Sequence, residues 1–118
     1  MIKYLFSIFI VIFSITMCSK NNIDVVSMEE FQLNILDNNT VVLDVRTEEE
    51  FYGPLGHIKG AILIPIDELS IRINELNEVK SKDIYVVCRS GNRSNFGKDI
   101  LRENNFNAIN IDGGMLAW

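Results

Sequence analysis

Residues 83–104 read DIYVVCRSGNRSNFGKDILREN, and they hold a strand, a loop and a helix in that order. Asp83-Ile-Tyr-Val-Val87 is rich in β-branched and aromatic residues, as strands are. Asn95 to Asn104 is a helix-like run. Between them, Cys88-Arg89-Ser90-Gly91-Asn92-Arg93-Ser94 must turn tightly, which puts Cys88 at the carboxyl end of the strand. A loop of this kind points successive backbone N–H groups into one concavity, and the helix N-terminus adds partial positive charge. Arg89 and Arg93 add full charges. A thiol held there ionises more easily than a free one. The stretch reads as an anion cradle with a sulfur nucleophile at its base.

Working outward, the same alternation recurs. Ile23–Val26 is a short strand, and Ser27-Met-Glu-Glu30 is a capping box that opens a helix with Phe31, Ile35 and Leu36 inward. Thr40–Val45 is apolar enough to be a strand covered on both faces. Thr47 caps a short acidic turn, Glu48–Phe51. Glycines and proline make Tyr52–Gly56 a loop. Ala61–Ile64 is a third strand that Pro65 stops, and Asp67 caps a helix through Leu69, Ile73 and Leu76. Asn107–Ile111 is a last strand, broken by Asp112-Gly-Gly114. Short strands alternating with helices predict a small parallel sheet of about five strands with helices on both faces. Ligands of such sheets bind beyond the carboxyl ends of the strands, where Cys88 falls.

The chain has 118 residues and a formal charge of −5. Removing a leader at 1–17 and a tether at 18–22 leaves 23–118 as one domain. No basic run marks a nucleic-acid surface. Two cysteines, Cys18 and Cys88, with a single histidine supply a zinc site poorly, so no metal and no cofactor are expected. Met1–Lys3 is a positive start, and Tyr4–Met17 is uncharged and apolar. That length suits a signal peptide better than a bilayer-spanning helix. Cys18 follows at once. This resembles a bacterial lipoprotein signal, in which that cysteine is lipidated, although Met17 stands where the pattern has a small residue. The expectation is an exported, membrane-anchored monomer facing the periplasm or cell envelope. A retained N-terminal anchor is the alternative.

Four stretches together resemble a rhodanese domain: Asp44-Val-Arg46 with Glu50-Phe51; Gly56-His-Ile-Lys-Gly-Ala61 with Ile64-Pro65; Cys88 to Ser94; and Gly113-Gly114 with Ala117-Trp118. The resemblance covers nearly everything after the tether. It implies a small α/β fold in which Cys88 carries sulfur. It also implies a sulfurtransferase that takes sulfane sulfur from thiosulfate or a related anionic donor and passes it to cyanide or a thiol. The thiolate is already nucleophilic, so no separate base is needed. Arg89, Ser90, Gly91, Asn92 and Arg93 are the substrate-binding candidates. Arg89 is assigned to the donor and Arg93 to loop architecture, with ion pairing to Asp99 or Glu103 as the plainer reading of the arginines. Ser90 and Asn92 contribute mainly backbone amides. His57, Asp44 and Arg46 are read as structural, and Trp118 with Gly113-Gly114 as packing.

Two other functions use the same cysteine. Phosphatases of this fold place arginine six positions after the cysteine. Here Arg93 is five positions on and Ser94 is the sixth, so the loop is a residue short for phosphate. A non-enzymatic persulfide carrier or sensor would share Cys88 outright.

Overall fold

The computed structural model describes residues 23–35 and 39–118. Five strands, β1 (Val25–Ser27), β2 (Thr40–Asp44), β3 (Ile62–Leu63), β4 (Asp83–Val87) and β5 (Asn107–Asp112), form one sheet in the order β1-β5-β4-β2-β3. Every pairing is parallel.

Alternation along the central strands sends side chains to two cores. On one face Leu43, Ile84, Val86, Cys88 and Ala108 pack with Leu69 and Leu101. These last come from α3 (Ile66–Arg72) and α4 (Asn92–Glu103). A 3₁₀ segment, Ile73–Val79, continues from α3 and adds Leu76. On the other face Val42, Val87, Ile109 and Ile111 meet Met28 and Phe31 of α1 (Met28–Asn34), and Met115 of a terminal 3₁₀ turn, Gly114–Ala117. Helical segments thus cover both faces, as the pattern predicted.

The element ends differ from expectation for local reasons. α1 stops at Asn34, so Ile35 lies past its last turn and is exposed; Leu36 lies outside the described residues. Pro65, not Asp67, occupies the cap position of α3, and Asp67 falls in its first turn, where an acid suits the helix dipole. Glu50 and Thr47 form a reciprocal capping box on α2 (Glu48–Phe51). Trp118 is 45% exposed and is not the packing residue expected of it, whereas Gly114 and Met115 are buried.

Strand order sets the position of the site. The chain leaves β2 towards β3 on one side and leaves β4 towards β5 on the other. The carboxyl ends of β2 and β4, paired through Asp44 and Val87, therefore flank the point where the winding reverses. Crevices open at such points in parallel sheets. Cys88 is the first residue beyond β4.

Candidate active site

The Cys88 loop closes sooner than its spacing implied. Gly91 takes φ +112°, a conformation that side chains resist, and caps α4 directly. The helix therefore begins at Asn92 rather than Asn95, and Arg93 and Ser94 belong to its first turn. Gly91 N–H donates to Cys88 Sγ at 3.0 Å, and the Ser94 hydroxyl lies 3.2 Å from the same sulfur. Cys88 is 1% exposed. Burial pushes its thiol up, but hydrogen bonds that the Ser94 hydroxyl and the Ser94, Gly91 and Ser90 amides give the ionised sulfur outweigh burial. The thiol is held below its ordinary value. Asn92 lends no amide to the sulfur among these contacts; it faces an outer groove instead.

A second layer fixes the loop from the far side of the sheet. Met115 N–H donates to Cys88 O at 2.8 Å and Leu116 N–H to Arg89 O at 3.0 Å. Gly114 makes this approach possible. A methyl group there would meet Cys88 O and lie 2.6 Å from Arg89 C and O.

The arginines part company. Arg93 forms a two-pronged pair with Glu50, at 2.6 and 2.8 Å, which joins α4 to α2. It does not pair with Asp99 or Glu103: those residues lie further along its own helix, and Asp99 pairs with Lys98. The Arg93 guanidinium holds the Glu50 carboxyl down at about 2. Arg46 is 1% exposed and grips Asp44 through Nε and Nη2. It also donates to Glu50 O and to Gly56 O. Asp44 and Arg46 thus satisfy one another and nearby backbone, as expected of them. Arg89 is exposed and enters no ion pair among the described residues.

A cavity of about 330 Å³ lies beside the loop, lined by Arg89, Arg46, Glu50, Pro54 and Leu55. A wider hollow of about 570 Å³ runs between α3 and α4 past Arg93 and Phe96, and no residue before Asn92 in the loop reaches it. The smaller cavity fits a small anion better, because it carries the unpaired cation of the loop, Arg89, which directly follows the cysteine. His57 sits in the rim loop. Its Nδ1–H donates to Phe51 O at 2.9 Å and its ring stacks on Phe51. That is a structural role, as the sequence reading had it.

Two residues of the site escaped the sequence reading. Ser94 entered it as the last residue of the loop stretch, with no role of its own, and Asn110 entered only as part of a strand. Ser94 Oγ donates to Asn110 Oδ1 at 2.6 Å, and both residues are buried. A signal for Asn110 was available: it is an amide at a core-facing position in line with Ala108.

An all-parallel α/β fold with a hydrogen-bonded thiol at its topological switch point is the arrangement that the rhodanese resemblance implied. The chain belongs to the rhodanese family: the model of the rhodanese-like domain matches residues 27–118. It is 36% identical over 100 residues to YrkF of Bacillus subtilis, a candidate sulfur carrier protein, covering 83% of this chain and 52% of that one. The chain thus spans about half the length of that relative. The thiosulfate sulfurtransferase PspE of Escherichia coli is 33% identical over 73 residues, 62% of this chain and 68% of that one. Among solved structures, a rhodanese-like domain protein from Staphylococcus aureus superposes with a TM-score of 0.73 at 34% identity. That match covers 81% of this chain and 91% of the other. Family and fold together support sulfur transfer as the general activity.

Proposed function

We propose that the chain moves sulfane sulfur from thiosulfate or a related anionic donor to cyanide or a thiol, by way of a persulfide on Cys88. The carrying observation is the sulfur's setting: an amide at 3.0 Å, a hydroxyl at 3.2 Å, a helix N-terminus behind it and a neighbouring cavity with an unpaired arginine. In the first half-reaction the Cys88 thiolate attacks the outer sulfur of thiosulfate. A new S–S bond forms, the donor's own S–S bond breaks, and its electron pair leaves on sulfite. In the second, the lone pair of cyanide or a thiolate takes the terminal sulfur, and the electrons of the broken bond return to Cys88. Neither step needs an oxidant. Arg89 meets the donor's charge, and the loop amides hold the anion that forms.

Incubating the full-length chain with thiosulfate tests this. The expected result is a mass gain of one sulfur with matching sulfite release, both lost in Cys88→Ser. No mass gain, with hydrolysis of a phosphate ester instead, would reverse the choice. The name of YrkF favours a second reading, in which the persulfide passes to a partner protein. Sulfur loading without thiocyanate turnover would select it.

The leader belongs to the same proposal. Residues 1–17 direct export and Cys18 receives lipid, leaving a monomeric domain tethered at the envelope with Cys88 as its free thiol. Cys18 lies outside the described residues, and none of the described helices is long and apolar enough to cross a membrane. Palmitate labelling lost in Cys18→Ala is expected; labelling that survives would defeat the lipid assignment.

A further inference from the structure

The Ser94 hydroxyl has one proton and two neighbours that want it. Asn110 settles which receives it in the resting site. Its Nδ2 donates to Gly91 O at 3.2 Å, and turning the amide over would set two carbonyl oxygens against each other. The amide is therefore fixed with Oδ1 towards Ser94, and Oδ1 takes the Ser94 proton at 2.6 Å. Ser94 Oγ is left to accept from the Cys88 thiol, 3.2 Å away. The arrangement is a closed relay: thiol to Ser94, Ser94 to Asn110, Asn110 to the carbonyl of the loop glycine. It lies within the core, with Ser94 0% and Asn110 5% exposed, so water does not stand in for a missing partner.

We propose that Asn110 is a positioning residue that acts through Ser94 as a proton gate on the Cys88 nucleophile. Ionisation sends the thiol proton to solvent. Ser94 then turns about its Cβ–Oγ bond and donates to the thiolate, which obliges it to release Asn110. The thiolate is thus reached at the cost of one buried hydrogen bond. When the charge moves out to an attached second sulfur, the Ser94 proton returns to Asn110. Asn110 therefore biases the resting enzyme towards the thiol and favours the loaded state. This rests on Cys88 as the nucleophile but not on the identity of the donor.

Other charged groups around the loop do not share this gate. Arg89 belongs to the loop, Arg93 of α4 is tied to Glu50 of α2, and Arg46 after β2 is tied to Asp44. Asp112, at the end of β5, lies beside Gly91. None of these side chains hydrogen-bonds to Asn110 or Ser94 among the described residues.

The test is the pH midpoint of iodoacetamide alkylation, measured on the full chain with Cys18→Ser so that Cys88 is the sole thiol. Asn110→Leu, of similar volume, should lower the midpoint by about 0.5–1 pH unit, because no hydrogen bond is then broken on ionisation. Ser94→Ala should raise it, since the thiolate loses its hydroxyl donor. Ser94→Thr should restore it. The double variant should lose most of the fall seen in Asn110→Leu, because the other link from Asn110 to the sulfur, through Gly91, is not one that ionisation must break. A midpoint unmoved or raised in Asn110→Leu overturns the proposal, as does a double variant whose midpoint falls as far below that of Ser94→Ala as Asn110→Leu falls below wild type. Where leucine does not fold, Asn110→Ala is read by the same criteria. Alkylation requires no sulfur donor, so a failed gate and a failed sulfur-transfer assay are separate results.

Discussion

Replacing Glu50 by glutamine removes one charge and keeps the side chain's length. Two consequences of opposite sign follow. The first is loss of stability. The carboxylate takes two N–H groups of Arg93 at 2.6 and 2.8 Å and is 29% exposed. An amide offers one oxygen, so its NH₂ must face a guanidinium N–H or the Thr47 cap must open. The Glu50 pKa, drawn from 4.5 to about 2, corresponds to about 3 kcal/mol as an upper bound. Arg93 is 35% exposed, and solvent screening reduces the figure to about 1–2 kcal/mol.

The sign with pH is determined. A carboxyl with a lowered folded-state pKa stabilises fully above its unfolded value, and the contribution fades as pH falls towards the folded value. The wild-type advantage over Glu50→Gln should be constant above about pH 5 and shrink between there and pH 2. The second consequence is tighter donor binding. Glu50 lines the cavity beside Arg89, so its loss removes a negative charge from the wall and frees Arg93. The KM for thiosulfate should fall about two- to fivefold. Urea midpoints from pH 7 down to pH 3 and steady-state kinetics measure both effects. A stability difference that persists unchanged at pH 3, or a KM that rises, would refute the reasoning.

Gly114→Ala forces a methyl group against the backbone of Cys88 and Arg89 at φ +53° and should cost about 2–4 kcal/mol in chemical denaturation. Sulfite release should fall with it, since the loop carbonyls lose their Met115 and Leu116 donors. Arg46→Ala leaves Asp44 charged and buried and should cost about 3–5 kcal/mol, read as a urea midpoint. Arg89→Ala should raise the thiosulfate KM about tenfold and leave the melting temperature unchanged, because the side chain is exposed and pairs with no acid among the described residues.

The fold was legible because its signals are local. Apolar runs at β2 and β4 and the punctuation between them specify covered parallel strands, and Ser27 and Thr47 cap the helices where the residue types predict, with the reciprocal glutamate bond formed at Thr47. Boundaries slipped where one backbone angle decides them. The left-handed turn at Gly91 starts α4 three residues early, and no residue count announces it. Cys88 was legible from its place at a strand end. The partners of the loop were not, because they are set by sheet order: Glu50 lies 43 residues before Arg93, and Asn110 lies 16 beyond Ser94.

That division of partners bears on what the site prefers. Three arginines, Arg46, Arg89 and Arg93, stand at the carboxyl edge of the sheet, yet acids neutralise two of them. A site for a phosphoryl dianion concentrates guanidinium charge on the ligand. Here one unpaired guanidinium and a carboxylate line the cavity, and the loop amides are spent on the sulfur itself. Amides aimed at a soft, spread charge suit a thiolate or persulfide, whose charge moves by one atom during transfer. Loop length and electrostatics thus point the same way. Lengthening the loop by one residue should not by itself create phosphatase activity while Glu50 holds Arg93, whereas the same insertion combined with Glu50→Gln should. Phosphate-ester hydrolysis in the insertion alone would show that ring size, and not the committed arginine, sets the chemistry.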